Sequence, residues 1–190
     1  MGTSAGRRLL VALIIAVIVV AGLLGAGVFV ILNDARSLPA FIQPLVGRQA
    51  VHILGTAMEP TLRADQVVSF DTRAYAHQSP QRGDIVLFRA PDDPSRRFVK
   101  RIIAIPGDRL LITNGAVSIN GQVISEPYLL EQWVTNNSWP ASGQAQTIPA
   151  NQYFVMGDNR NHSSDSRAFG LVGLEAIEGK LLPSSVASSP

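Results

Sequence analysis

The chain has 190 residues, a formal net charge of +2 and no cysteine. That length fits one domain of ordinary size with extra segments. The missing cysteines exclude disulfides, thiol catalysis and cysteine-type zinc sites, and the scattered basic residues give nucleic-acid binding no support.

From Leu9 to Leu32 runs a stretch of 24 residues without a charged or strongly polar side chain. As a helix rising about 1.5 Å per residue it is about 36 Å long, enough to cross a hydrocarbon core of about 30 Å with some tilt. The apolar part of a cleaved signal peptide is shorter, about 7–15 residues. Residues 9–32 are therefore expected to be a transmembrane helix. Arg7 and Arg8 precede it, and cationic flanks stay in the cytoplasm. Residues 1–8 should then be a cytoplasmic N-terminus, with everything beyond about residue 33 on the other side of the bilayer.

Residues 33–48 read as a connector, with Pro39 and Pro44. Beyond it, residues 49–182 show short apolar runs bounded by turn residues, the pattern of a mainly β domain. Gln49–Leu54 reads as a strand that delivers Gly55 to Ala57 at its end, and Gln66–Asp71 as a second. Ile85–Phe88 and Phe98–Ile105 follow, separated by a loop with two prolines, two aspartates and two arginines. Asn114-Gly115 and Asn120-Gly121 are hairpin turn signals that make Leu110–Ile124 a small meander within an insertion at 109–150. Residues 132–150 are read as a long loop and Tyr153–Met156 as a strand. Residues 174–180 are read as a short helical turn, and 183–190 as a flexible tail.

Three stretches stand out: Gly55-Thr56-Ala57-Met58-Glu59-Pro60-Thr61-Leu62, Val99-Lys100-Arg101-Ile102-Ile103-Ala104-Ile105-Pro106-Gly107-Asp108, and Gly157-Asp158-Asn159-Arg160 with Ser163, Asp165, Ser166 and Arg167. Lys100 lies among Phe98, Val99, Ile102, Ile103 and Ile105. Burial among such groups penalises the charged amine and lowers its pKa. By pattern alone the commoner arrangement is an edge-strand lysine turned to solvent. His52, His77 and His162 have no acidic partner at triad-like spacing and read as surface residues. No metal-ligand cluster is visible.

In this order the three stretches resemble the boxes of type I signal peptidases, Ser-Lys serine proteases, over roughly residues 9–182. The resemblance implies a membrane-bound endopeptidase of the plasma (inner) membrane, single-pass, that removes signal peptides with Ala-x-Ala sites from exported preproteins without a cofactor. It places Ala57 at the nucleophile position, which is serine in the family, and makes Lys100 the general base. Ser163, Asp165 and Arg167 match residues that orient and support the lysine. Asp158, Arg160 and Arg101 are expected to support the structure, including an Asp158–Arg101 ion pair. The oxyanion hole would use the Ala57 backbone N–H and the Gly55 position. Ile53, Met58 and Val99 are the expected pocket neighbours of a substrate strand. With alanine at 57, the chain should fold and bind but fail to cleave. Thr56 should not take over, because adjacent strand residues face opposite ways. An engineered serine-to-alanine change and a natural non-catalytic relative both fit. The alternative function is a membrane-tethered, signal-peptide-binding pseudoprotease or the partner of an active peptidase.

Overall fold

A computed structural model describes residues 47–133, 140 and 143–183. The expected transmembrane helix, most of the connector and the tail lie outside these described residues. Among the described residues no helix is long and apolar enough to cross a membrane.

The described residues form one compact unit, built on two antiparallel sheets. The larger has seven strands: β1 (Arg48–His52), β2 (Val67–Asp71), β3 (Ile85–Arg89), β4 (Arg97–Ala104), β9 (Gln152–Met156), β10 (Val172–Gly173) and β11 (Ile177–Leu181). They lie in the order β1-β2-β11-β3-β4-β9-β10. The smaller sheet, β7-β6-β5-β8, holds β5 (Arg109–Thr113), β6 (Ala116–Ile119), β7 (Gln122–Val123) and β8 (Gln146–Thr147).

The continuous apolar run of β3 has a simple cause. Its alternate residues enter two different cores, Ile85 and Leu87 joining Ile53, Met58, Leu62, Val68 and Phe70, while Val86 and Phe88 join Ile102, Tyr153, Val155 and Val172. A strand buried on both faces loses the polar alternation of a half-exposed one. A third core ties the meander to the ends of β4 and β9 through Ile103, Leu110, Ile112, Val117, Phe154 and Met156. The meander turns form where expected, with Asn114 and Gly115 at φ 49° and 71°, and Asn120 and Gly121 at 55° and 84°. Positive φ at both central residues is what a tight hairpin of this hand requires.

Three expectations need correction. Residues 177–181 are not helical: a single 3₁₀ turn at Leu174–Ala176 leads into β11, which pairs with both β2 and β3 inside the large sheet. The stretch 132–150 is not wholly loop, since Gln146–Thr147 pairs with β5 and Trp133 is buried in the third core. Gly55–Ala57 does not continue a strand. The chain turns there, with Glu59 N–H donating to the Thr56 carbonyl at 3.0 Å and Leu62 N–H to that of Met58 at 2.9 Å.

Candidate functional site

Three segments distant in sequence meet around the turn at Ala57. Met58 and Leu62 are buried, so the turn is pinned from beneath by its own apolar side chains, and Ala57 is left half-buried above them. The Ala57 carbonyl accepts the Asn159 N–H at 3.0 Å, and the Thr56 carbonyl accepts the Asn159 side-chain amide at 3.2 Å. Thr61 Oγ1 donates to Asp158 Oδ2 at 2.5 Å. The expected ion pair is present: Arg101 grips Asp158 with Nε at 2.8 Å and a terminal nitrogen at 2.6 Å. Such a two-point guanidinium–carboxylate contact fixes orientation as well as distance. The turn, the strand bearing Lys100 and the Gly-Asp-Asn-Arg run are thereby joined.

Lys100 is only 4% exposed. It stands opposite Val86 and two residues from Phe98, in a strand flanked on both sides by others. The edge-strand arrangement suggested by pattern alone is thus ruled out by the sheet order. Nζ lies 5.4 Å from the centre of the Phe98 ring, and the amine has no ion pair among the described residues. Burial pushes its pKa down to about 8, Asp165 and Asp158 oppose that from a distance, and Arg167 adds to it. Both carboxylates are committed elsewhere, Asp158 to Arg101 and Asp165 to Arg167.

The third segment is held by its own buried charges. Asp165 caps the one-turn helix Ser166–Phe169 by accepting the Arg167 N–H. It also accepts the Gly157 N–H at 3.0 Å and takes two contacts of 2.8 Å from the Arg167 guanidinium. Arg160 donates to the Gly157 carbonyl at 3.0 Å and pairs with Glu126. Ser163 Oγ is buried without a hydrogen-bond partner among the described residues, so no bond joins it to Lys100 here. It lies hard against Gly157, where an added Cβ would overlap both Ser163 Oγ and the Ala57 carbonyl oxygen. Gly157 is needed for this close approach, not for an unusual φ.

A groove of about 680 Å³ runs past the turn. Its walls include Ile53, Gly55, Ala57, Met58, Val99 and Lys100, so the three expected pocket neighbours all face it. Thr56 is exposed and does not line it. The strand-alternation reason given for excluding Thr56 fails, because the residue sits in a turn. The N–H groups of Gly55 and Ala57 donate to no acceptor among the described residues. His52 does have an acidic neighbour, contrary to expectation: Asp65 Oδ1 is 3.4 Å from its Nε2, with both side chains largely exposed. No group of histidines and carboxylates able to hold a metal occurs among the described residues.

Several partners escaped the sequence reading. Glu126 supplies the counter-charge for Arg160, Thr61 binds Asp158, and Trp133 lies 5.2 Å from both the Arg160 and Arg167 guanidinium carbons. A buried arginine implies a carboxylate, but nothing local says which one.

A buried amine without its own counter-ion, facing a peptide-sized groove beside a turn with unused N–H groups, is the kind of site that handles a proton and a developing oxyanion together. The family model described as signal peptidase, peptidase S26, matches residues 6–184. Probable signal peptidase I-2 of Synechocystis sp. is 34% identical over 138 residues, covering 70% of this chain and 60% of that protein. For probable signal peptidase I-1 of the same organism the identity is 36%, with 69% and 67% covered. Signal peptidase IB of Staphylococcus aureus is 34% identical over 141 residues, covering 68% and 73%. A crystal structure of a signal peptidase I from Enterococcus faecalis V583 superposes with a TM-score of 0.47 at 35% identity, over 55% of this chain and 98% of that one. The chain belongs to the signal peptidase, peptidase S26, family. It spans 60% of the length of the first of these relatives and 67% of the second.

Proposed function

We propose that the chain is a membrane-bound serine endopeptidase of the signal peptidase I type, built to remove signal peptides by a Ser-Lys dyad and inactive with alanine at residue 57. The observation that carries this reading is Lys100, buried in the groove wall near Ala57 with every nearby carboxylate already paired. A hydroxyl at position 57 is a weak nucleophile until a base removes its proton. An amine with a pKa near 8 is neutral often enough near neutral pH to do so. The alkoxide attacks the scissile carbonyl carbon, and the oxyanion that forms is met by the Ala57 N–H and a donor at the Gly55 position. The protonated lysine then gives its proton to the departing amine.

The substrate lies extended along β1 and β4, with small side chains of an Ala-x-Ala site against Ile53, Met58 and Val99. Arg101, Asp158, Arg160, Ser163, Asp165 and Arg167 keep the turn and the lysine in place. Residues 9–32 anchor the chain in the plasma membrane, N-terminus inside, and hold the site beside preproteins leaving the bilayer. Tethering raises the local substrate concentration without adding a contact. No metal or organic cofactor takes part.

Ala57 itself favours a second reading, a tethered protein that binds signal peptides and does not cut them. A paired assay separates the two. The chain and its Ala57→Ser variant, in detergent micelles, are each given a preprotein with an Ala-x-Ala site. Cleavage by the variant alone, abolished by adding Lys100→Ala, supports the peptidase. Failure of both, with both folded, overturns it in favour of the binding protein.

A further inference from the structure

The groove brings together three features of the chain as it stands. Lys100 is in the wall of a cavity, not at the surface. Position 57, where a competing nucleophile would stand, carries only a methyl group. The walls around the amine are largely apolar, with Phe98, Val99, Ile53 and Met58 among them. The whole chain has one other lysine, Lys180, and its amine is held by Asp84 Oδ1 at 2.7 Å.

We propose that this groove is a covalent capture site for aldehydes: Lys100 Nζ takes the carbonyl of an aldehyde-ended peptide with small side chains as an imine. The Nζ lone pair bonds to the aldehyde carbon to give a carbinolamine. The carbonyl oxygen then leaves as water with the two protons that were on the amine, and a C=N bond remains. No oxidant or reductant is consumed. Expulsion of water suits a pocket with apolar walls, and once the imine nitrogen takes a proton from solvent its charge is met by the same distant carboxylates, Asp165 and Asp158, that act on the amine.

Only the neutral amine attacks. With its pKa near 8, Lys100 is about half neutral at pH 8, whereas an ordinary lysine of pKa about 10.4 is neutral on the order of 0.4% of the time. The choice of a peptide with small side chains rests on the peptidase reading, whereas capture itself uses the position of Lys100 in the groove and not its role as a base.

The test uses the full chain in detergent micelles at pH 8 with acetyl-Ala-Val-Ala aldehyde and cyanoborohydride, which fixes any imine as a stable secondary amine. Peptide mapping by mass spectrometry then compares Lys100, Lys180 and the Met1 amine within one sample. The expected result is modification of Lys100 at least about tenfold faster than of Lys180, a ratio that disappears when the chain is unfolded in urea first. The corresponding peptide acid, which has no aldehyde carbon, should form no adduct. Equal labelling of the three amines, or no adduct at Lys100, overturns the proposal. Recovered cleavage by Ala57→Ser without any aldehyde capture at Lys100 would leave the peptidase standing and remove this inference alone.

Discussion

The main-chain carbonyl of Ala57 is hydrogen-bonded to the main-chain N–H of Asn159, at 3.0 Å, across 102 residues of sequence. Gly157, two residues before that donor, admits the contact, because any side chain there would collide with the Ala57 carbonyl and with Ser163. In the Ala57→Ser background, Gly157→Ala should therefore lower kcat/KM by about 100-fold, the usual consequence of moving a reacting group by about 1 Å. Circular dichroism of the variant should stay that of a folded protein. Activity within threefold of the parent would mean the turn tolerates the displacement.

Lys100 should leave a signature in stability against pH. Its folded pKa, about 8, lies below the ordinary lysine value of 10.5. Between those values the unfolded chain binds more protons, so stability rises with pH through this window. Below pH 8 the full penalty of a buried charge is present, about 3 kcal/mol at about 1.4 kcal/mol per unit. Lys100→Met should accordingly be more stable than the parent at pH 7, with the gap closing towards pH 10. Urea denaturation at pH 7, 8.5 and 10 checks this, and a gap that does not change with pH would refute it.

The same titration sets the rate profile of the serine-restored chain. The base must be neutral to act, so kcat/KM of Ala57→Ser should climb about tenfold per pH unit below 8 and level off above it. A profile that is flat from pH 6 to 9 would mean that another group takes the proton.

Glu126 is the sole carboxylate paired with the buried guanidinium of Arg160 among the described residues. Removing one partner of a buried pair leaves an uncompensated charge and costs about 3–5 kcal/mol. Glu126→Ala should lose that much in chemical denaturation, and adding Arg160→Met should recover a large part. A loss below about 1 kcal/mol would show that the guanidinium finds solvent.

Much of the site was legible because its boxes are long and their order is kept. The apolar neighbours of Lys100 alone favoured an edge-strand lysine turned to solvent, the resemblance pointed the other way, and the sheet order explains why it cannot turn outward. The Arg101–Asp158 pair was also expected. What stayed hidden were elements whose polar residues are satisfied at long range. β11 reads Ile-Glu-Gly-Lys-Leu, a poor pattern for a strand inside a sheet. Glu178 is paired with Arg97 at 2.7 Å and Arg89 at 3.2 Å, and Lys180 with Asp84. Gly179 is where the strand packs closest, a Cβ there coming within 3.0 Å of the Asp71 carbonyl oxygen. Each charged residue is explained by a partner on, or immediately before, another strand, which periodicity cannot reveal. Glu126 was missed for the same reason. Ala57 was misplaced on a strand because the turn is made by main-chain bonds and by the burial of Met58 and Leu62, neither of which local spacing records.

The position of β11 also imposes an order in time. It is the last strand in the chain among the described residues, yet it sits third of seven, wedged between β2 and β3. Ribosomes deliver a chain from its N-terminal end, so β2 and β3 are made long before the strand that separates them. Until residue 181 has emerged, β3 lacks its neighbour on one side and the sheet that holds the lysine strand is two pieces. Contacts of such long sequence separation form slowly. The groove is therefore assembled late, and until β11 is in place a newly made chain has no finished wall behind Lys100.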